Sequence, residues 1–77
     1  MIKVLLFAQL QETAGTNEVE LDTVPGSVKE LRGIMKEKYG FTTLESAMTA
    51  VNEEYADEDT ELKDGDTVAF IPPVSGG

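Results

Sequence analysis

Thr67-Val68-Ala69-Phe70-Ile71-Pro72-Pro73-Val74-Ser75-Gly76-Gly77 is the stretch that decides the fold. Its first five residues alternate as a strand, with Val68 and Phe70 facing a core and Thr67, Ala69 and Ile71 facing out. Pro72 and Pro73 end it, because neither can donate to a sheet ladder and both favour polyproline II geometry. They stiffen the exit and hold the last four residues away from the body. Glycine has no Cβ, so a Gly-Gly strip can enter a channel too narrow for other residues. Its α-carboxylate, with a reference pKa of roughly 3.3–3.7, is ionised at neutral pH and open to activation. The expected organisation is a folded domain over residues 1–73 and a flexible tail over residues 74–77.

A terminal strand needs a partner, and the opening segment supplies one. Ile2, Val4, Leu6, Ala8 and Leu10 fall on one face and predict the core side of a long first strand. Leu5 and Phe7 then lie on its outer face, too apolar for a surface that nothing covers. Gln11 to Gly15 is a short helical or turn connection, and Gly15-Thr16-Asn17 is a turn signal. Glu18-Val19-Glu20-Leu21-Asp22 alternates with Val19 and Leu21 inward, as an antiparallel partner of the first strand would.

Pro25-Gly26 breaks the chain, and Ser27 with Glu30 has capping-box spacing. Val28, Leu31, Ile34 and Met35 recur at helical spacing, and Gly40 is a C-terminal stop, so a helix is expected over residues 28–39. Gly33 weakens it by up to about 1 kcal/mol relative to alanine. Lys29, Arg32, Lys36 and Lys38 read as its solvated face, the last two suiting the negative end of the dipole. Residues 41–47 read as irregular or a short turn, residues 48–52 as a short strand, and Asn52-Glu53-Glu54 as the turn into a weaker strand near Tyr55. Lys63-Asp64-Gly65-Asp66 is a turn into the last strand. The order strand, strand, helix, strand, short strand, strand fits an α+β architecture. One helix crosses a mixed sheet whose first and last strands are central and parallel, which is the β-grasp arrangement. Phe7 and Ile71 then share an outer face beside the tail's exit.

Composition removes most chemistry. The 77 residues contain no cysteine and no histidine. Disulfides, zinc-thiolate sites, a cysteine nucleophile and the usual general base are therefore excluded. Absence of disulfides fits a reducing, cytoplasmic setting. No apolar run reaches the roughly 18 residues of a membrane span, and the opening segment lacks a signal-peptide cleavage site. Fifteen acidic residues against six basic give a net charge of −9. Nucleic acid and anionic membranes would be repelled, and a basic protein partner attracted. The Asp57-Glu58-Asp59-Thr60-Glu61 run departs from a calcium loop, with Leu62 at the glycine position, and reads as a solvated turn with no metal. Phosphate-loop and dinucleotide glycine patterns are absent.

Three stretches resemble the small, sulfur-carrying subunit of molybdopterin synthase: Lys3 to Leu10, Ala50-Val51-Asn52, and above all Leu62 to Gly77. The double proline before Gly-Gly favours this family over the thiamine-pathway sulfur carrier; both are ubiquitin-like β-grasp proteins. The resemblance implies that an adenylating enzyme, using ATP and Mg²⁺, activates the Gly77 carboxylate, which a sulfur donor converts to a thiocarboxylate. The loaded tail would enter the large subunit and give its sulfur to cyclic pyranopterin monophosphate. Catalytic acids and bases would belong to the partners, so the chain would bind no cofactor and be no enzyme alone. Gly77 would be the covalent carrier, and Gly76, Ser75, Val74 and Pro73 would thread into partners. Phe7, Tyr55 and Ile71 would contact the adenylating enzyme, and the assembly would be a heterotetramer of two small and two large subunits. The same tail would also suit a thiamine-pathway carrier or a ubiquitin-type protein modifier.

Overall fold

In the computed structural model, residues 1–41 and 44–73 are described. Their elements are β1 (Ile2–Leu6), α1 (Ala8–Ala14), β2 (Glu18–Leu21), α2 (Val28–Tyr39), a 3-10 turn (Leu44–Ser46), β3 (Met48–Val51), β4 (Glu54–Tyr55) and β5 (Thr67–Ile71). The five strands form one sheet in the order β2-β1-β5-β3-β4. β1 and β5 run parallel at its centre, with Val4 opposite Val68 and Leu6 opposite Phe70, and the remaining pairings are antiparallel. This is the β-grasp arrangement. Alternate residues of β1 and β5 turn towards α2, and Ile2, Val4, Leu6, Val68 and Phe70 bury against Val28, Leu31 and Met35.

The helix that closes this core is fully capped. Ser27 Oγ accepts from the Glu30 amide at 3.3 Å. The acidic loop supplies two more acceptors: the Val28 amide donates to Thr60 O and the Lys29 amide to Glu58 O, each at 3.0 Å. The orphan donors of the first turn are thus satisfied. The Glu30 carboxylate accepts from Gly26 N at 2.6 Å, one residue upstream of the N-cap amide that the capping-box spacing implies. At the other end Gly40 takes a left-handed conformation, φ 67°, and its amide closes on Lys36 O. Asp57 Oδ1 accepts from the Asp59 amide and the Thr60 hydroxyl, which folds the acidic run into a tight turn. Among the described residues, no three acidic side chains gather as a metal ion would require.

Three expectations change. β1 ends at Leu6, not at Leu10, because the chain reverses at Ala8, where φ is 49°, and starts α1. Ala8 is therefore exposed, and Leu10 reaches the core from a helix rather than from a strand face. Ile34 is 38% exposed rather than part of the buried stripe. Arg32 leaves the solvated face: its guanidinium donates to Leu44 O at 2.5 Å, Ala47 O at 3.1 Å and Thr49 Oγ1 at 2.9 Å. It also lies 5.6 Å from the Phe70 ring centroid. Arg32 Nε sits 3.3 Å from Glu58 Oε1, an ion-pair distance without hydrogen-bond alignment. Within the 41–47 segment, expected as irregular or a short turn, the 3-10 turn Leu44–Ser46 forms, and Phe41, Leu44 and Ala47 are buried in the core.

Candidate docking face

The opposite side of the sheet carries no helix among the described residues. Paired residues in a sheet share a face, so the register fixes its composition. Leu5 lies opposite Ala69, Ala69 opposite Ala50, Ala50 opposite Tyr55, and Ile71 opposite Met48. The outcome is an apolar band across four strands. Phe7 extends it, standing one residue past β1 with extended backbone as the N-cap of α1. Parallel pairing of β1 with β5 brings their ends to the same edge, so Phe7 and Ile71 meet there. Both line one open groove of about 640 Å³, together with Leu5, Tyr55 and Ala69. Small residues at 50 and 69 make its floor, and larger ones make its walls. Phe7 is 44% exposed, Met48 53% and Tyr55 73%, a concentration of wet apolar surface that a stable small domain otherwise avoids.

Phe7, Tyr55 and Ile71, separated by 64 positions in the chain, are thus brought into one groove. Pro73 is the last described residue and is exposed, whereas Pro72 before it is buried. The diproline therefore begins against the body and leaves it within one residue, at the groove's Phe7 end. Val74, Ser75, Gly76 and Gly77 lie outside the described residues.

The groove's other end is built by the two-residue turn Asn52-Glu53 between β3 and β4. Its residues take φ of 51° and 72°, the left-handed pattern of a tight hairpin. Asn52 locks it in place: its amide donates to Thr67 O at 2.8 Å, its Oδ1 accepts from Thr67 N at 3.0 Å, and its Nδ2 donates to Asp66 Oδ1 at 2.9 Å. Asp66 Oδ2 in turn accepts from the Lys63 amide at 2.8 Å. That backbone bond, then the Asn52 bond, hold the Asp66 carboxyl below its ordinary value of 3.8. Asn52 and Glu53 line the groove too, and strand parity in the sequence does not single them out, since they belong to a turn. The flanking β2 turns Glu18 and Glu20 to this face, where Lys3 pairs with Glu18 at 3.8 Å. The face is apolar in the middle and acidic at its borders. It has no histidine or cysteine to ligate a metal or attack a substrate.

Residues 4–77 match the ThiS family. The chain belongs to that family. Among its relatives is the molybdopterin synthase sulfur carrier subunit of Escherichia coli, 41% identical with both chains fully covered. The solved complex of subunits 1 and 2 of the Helicobacter pylori molybdopterin-converting factor contains a chain of the same fold. That chain has a TM-score of 0.72 and 32% identity, over 99% of this chain and 97% of that one. Small archaeal modifier protein 1 of Methanosarcina acetivorans superposes with a TM-score of 0.82 and 30% identity, over 99% of this chain and 95% of its own. These relatives place this ThiS-family chain among ubiquitin-like β-grasp proteins. No helix among the described residues is long and apolar enough to cross a membrane.

Proposed function

We propose that this chain is the sulfur-carrier subunit of a molybdopterin synthase and that Gly77 is the carrier. The observation that carries the reading is the joining of an uncovered apolar groove to the root of a Gly-Gly tail at one edge of the sheet. Similarity to the Escherichia coli subunit along the full length supports it. A carboxylate is a poor electrophile because oxide is a poor leaving group. An activating enzyme removes that barrier: the Gly77 carboxylate attacks the α-phosphate of Mg²⁺-bound ATP, pyrophosphate leaves, and an acyl-adenylate forms. A sulfur donor then displaces AMP, which carries away the former carboxylate oxygen, and a thiocarboxylate remains. The large subunit admits the tail, and its acids and bases direct the sulfur to cyclic pyranopterin monophosphate. Two loaded carriers supply the two dithiolene sulfurs, which suits an assembly of two small and two large subunits.

In this account Phe7, Tyr55 and Ile71 dock the activating enzyme, and Pro73, Val74, Ser75 and Gly76 thread the tail into each partner. Deleting Gly77 tests the assignment. Sulfur transfer should vanish while thermal unfolding stays within about 2 °C of the parent, because Gly77 follows the exposed Pro73 by four positions and contributes no side chain to a core. Retained transfer contradicts it. A second reading, a protein modifier, draws on the likeness to the archaeal modifier protein. It uses the same activation but ends in an isopeptide bond, so lysine-linked conjugates in cell extracts would select it.

A further inference from the structure

We propose that Glu53 is a specificity residue at the rim of the groove, positioned to receive a Lys or Arg side chain of the activating enzyme. The inference rests on the docking reading above and adds the charge that the docking surface must carry.

The tight β3–β4 turn needs positive φ at both central residues, and glycine is the residue that takes the second position without strain. Glu53 occupies it instead, at φ 72°. Its predecessor, Asn52, has a structural task, locking the turn to Thr67 and Asp66. Glu53 has none: it is exposed, and among the described residues it forms no hydrogen bond or ion pair. A strained residue without a structural task points to a task outside the fold.

Its position says what that task is. Glu53 lines the same groove as Phe7, Tyr55 and Ile71. A partner that fills the groove with an apolar side chain strips water from this rim. A carboxylate losing water without a countercharge is costly, so an acidic or wholly apolar partner is penalised. A partner with a basic side chain beside its apolar anchor recovers that cost and is attracted from a distance by the net charge of −9. The groove's apolar wall thus supplies affinity, and Glu53 selects the partner.

The test measures the KM for this carrier in ATP–pyrophosphate exchange by the activating enzyme, with full-length Glu53→Gln, Glu53→Gly and Phe7→Asp variants. Glu53→Gln keeps the turn and removes the charge. It should raise KM roughly threefold to tenfold at low salt, leave kcat unchanged and lose most of the salt dependence. Glu53→Gly should raise KM similarly while raising Tm by about 2–5 °C, since the strain is relieved. A gain in stability with a loss in binding is an outcome no purely structural role produces. Phe7→Asp should abolish exchange. If Phe7→Asp does so and both Glu53 variants keep the parent KM, the rim assignment is overturned and the groove stands. If all three behave as the parent, groove and rim fall together.

Discussion

The two faces of the central sheet are made by the same strands and obey opposite rules. On the α2 side, Ile2, Val4, Val68 and Phe70 are completely buried. On the other side, Leu5, Ala69 and Ile71 keep part of their surface exposed, and Phe7, Met48 and Tyr55 stand in water. Hydrophobicity does not distinguish the faces; the presence of a covering helix does. A 77-residue chain has few apolar side chains to spend on stability. Leaving an apolar band open is therefore a commitment to something outside the chain, and the tail root lies at the edge of that band.

Substitutions on the two faces should separate cleanly. Phe70→Ala, on the covered face, should cost about 3–5 kcal/mol and leave little folded protein at 37 °C by circular dichroism. Next comes Arg32→Met, which removes the donors to Leu44 O, Ala47 O and Thr49 Oγ1. A loss of about 2–4 kcal/mol in urea unfolding is expected, because partners near the core lose their bonds. A cost under 0.5 kcal/mol would return Arg32 to the solvated face. Ser27→Ala removes the side-chain cap of α2 and should cost about 1 kcal/mol. Tyr55→Ala, on the open face, should change stability by less than about 0.5 kcal/mol yet weaken capture by the activating enzyme at least roughly tenfold. If Tyr55→Ala destabilises the fold as Phe70→Ala does, the contrast between the faces collapses.

The smallest effect concerns acid. Asp66 has a depressed carboxyl in the folded chain, so its contribution is present above the unfolded aspartate value. That contribution is lost as pH falls from the ordinary 3.8 through the lower folded value. The parent should lose more stability over that window than Asp66→Asn, and equal acid sensitivity would show that the Asn52–Asp66 clamp adds nothing measurable. Because Asp66 is partly exposed, solvent screening keeps the difference modest.

Strand parity and caps made much of this fold legible in the sequence. α2 spans the expected residues because Ser27 and Gly40 are local signals that no distant contact had to supply. Residue type alone puts Arg32 on the solvated face and Ile34 in the buried stripe, whereas helical angle orders them the other way. At about 100° per residue, Arg32 lies roughly 65° from the centre of the Val28, Leu31, Met35 stripe and Ile34 roughly 95°. The charged residue is therefore the nearer to the core, and its long stem reaches carbonyls that only the folded 44–47 turn presents. Ala8 is ambiguous for a related reason, since alternation through residue 10 also fits a strand followed by one helical turn. Phe7 and Ile71 were legible by parity, and Tyr55 came from the family resemblance. The turn at Asn52 and Glu53 is legible in the sequence, but its place in the groove is not, because turn residues acquire a face only when β3, β4 and β5 assemble.

The most direct test of the account is the intact mass of the chain after incubation with its activating enzyme, ATP, Mg²⁺ and a sulfur donor. The predicted result is a gain equal to one oxygen-to-sulfur exchange, located on Gly77 and absent when Gly77 is deleted. An unchanged mass, with an activating enzyme shown to load another carrier under the same conditions, would contradict it.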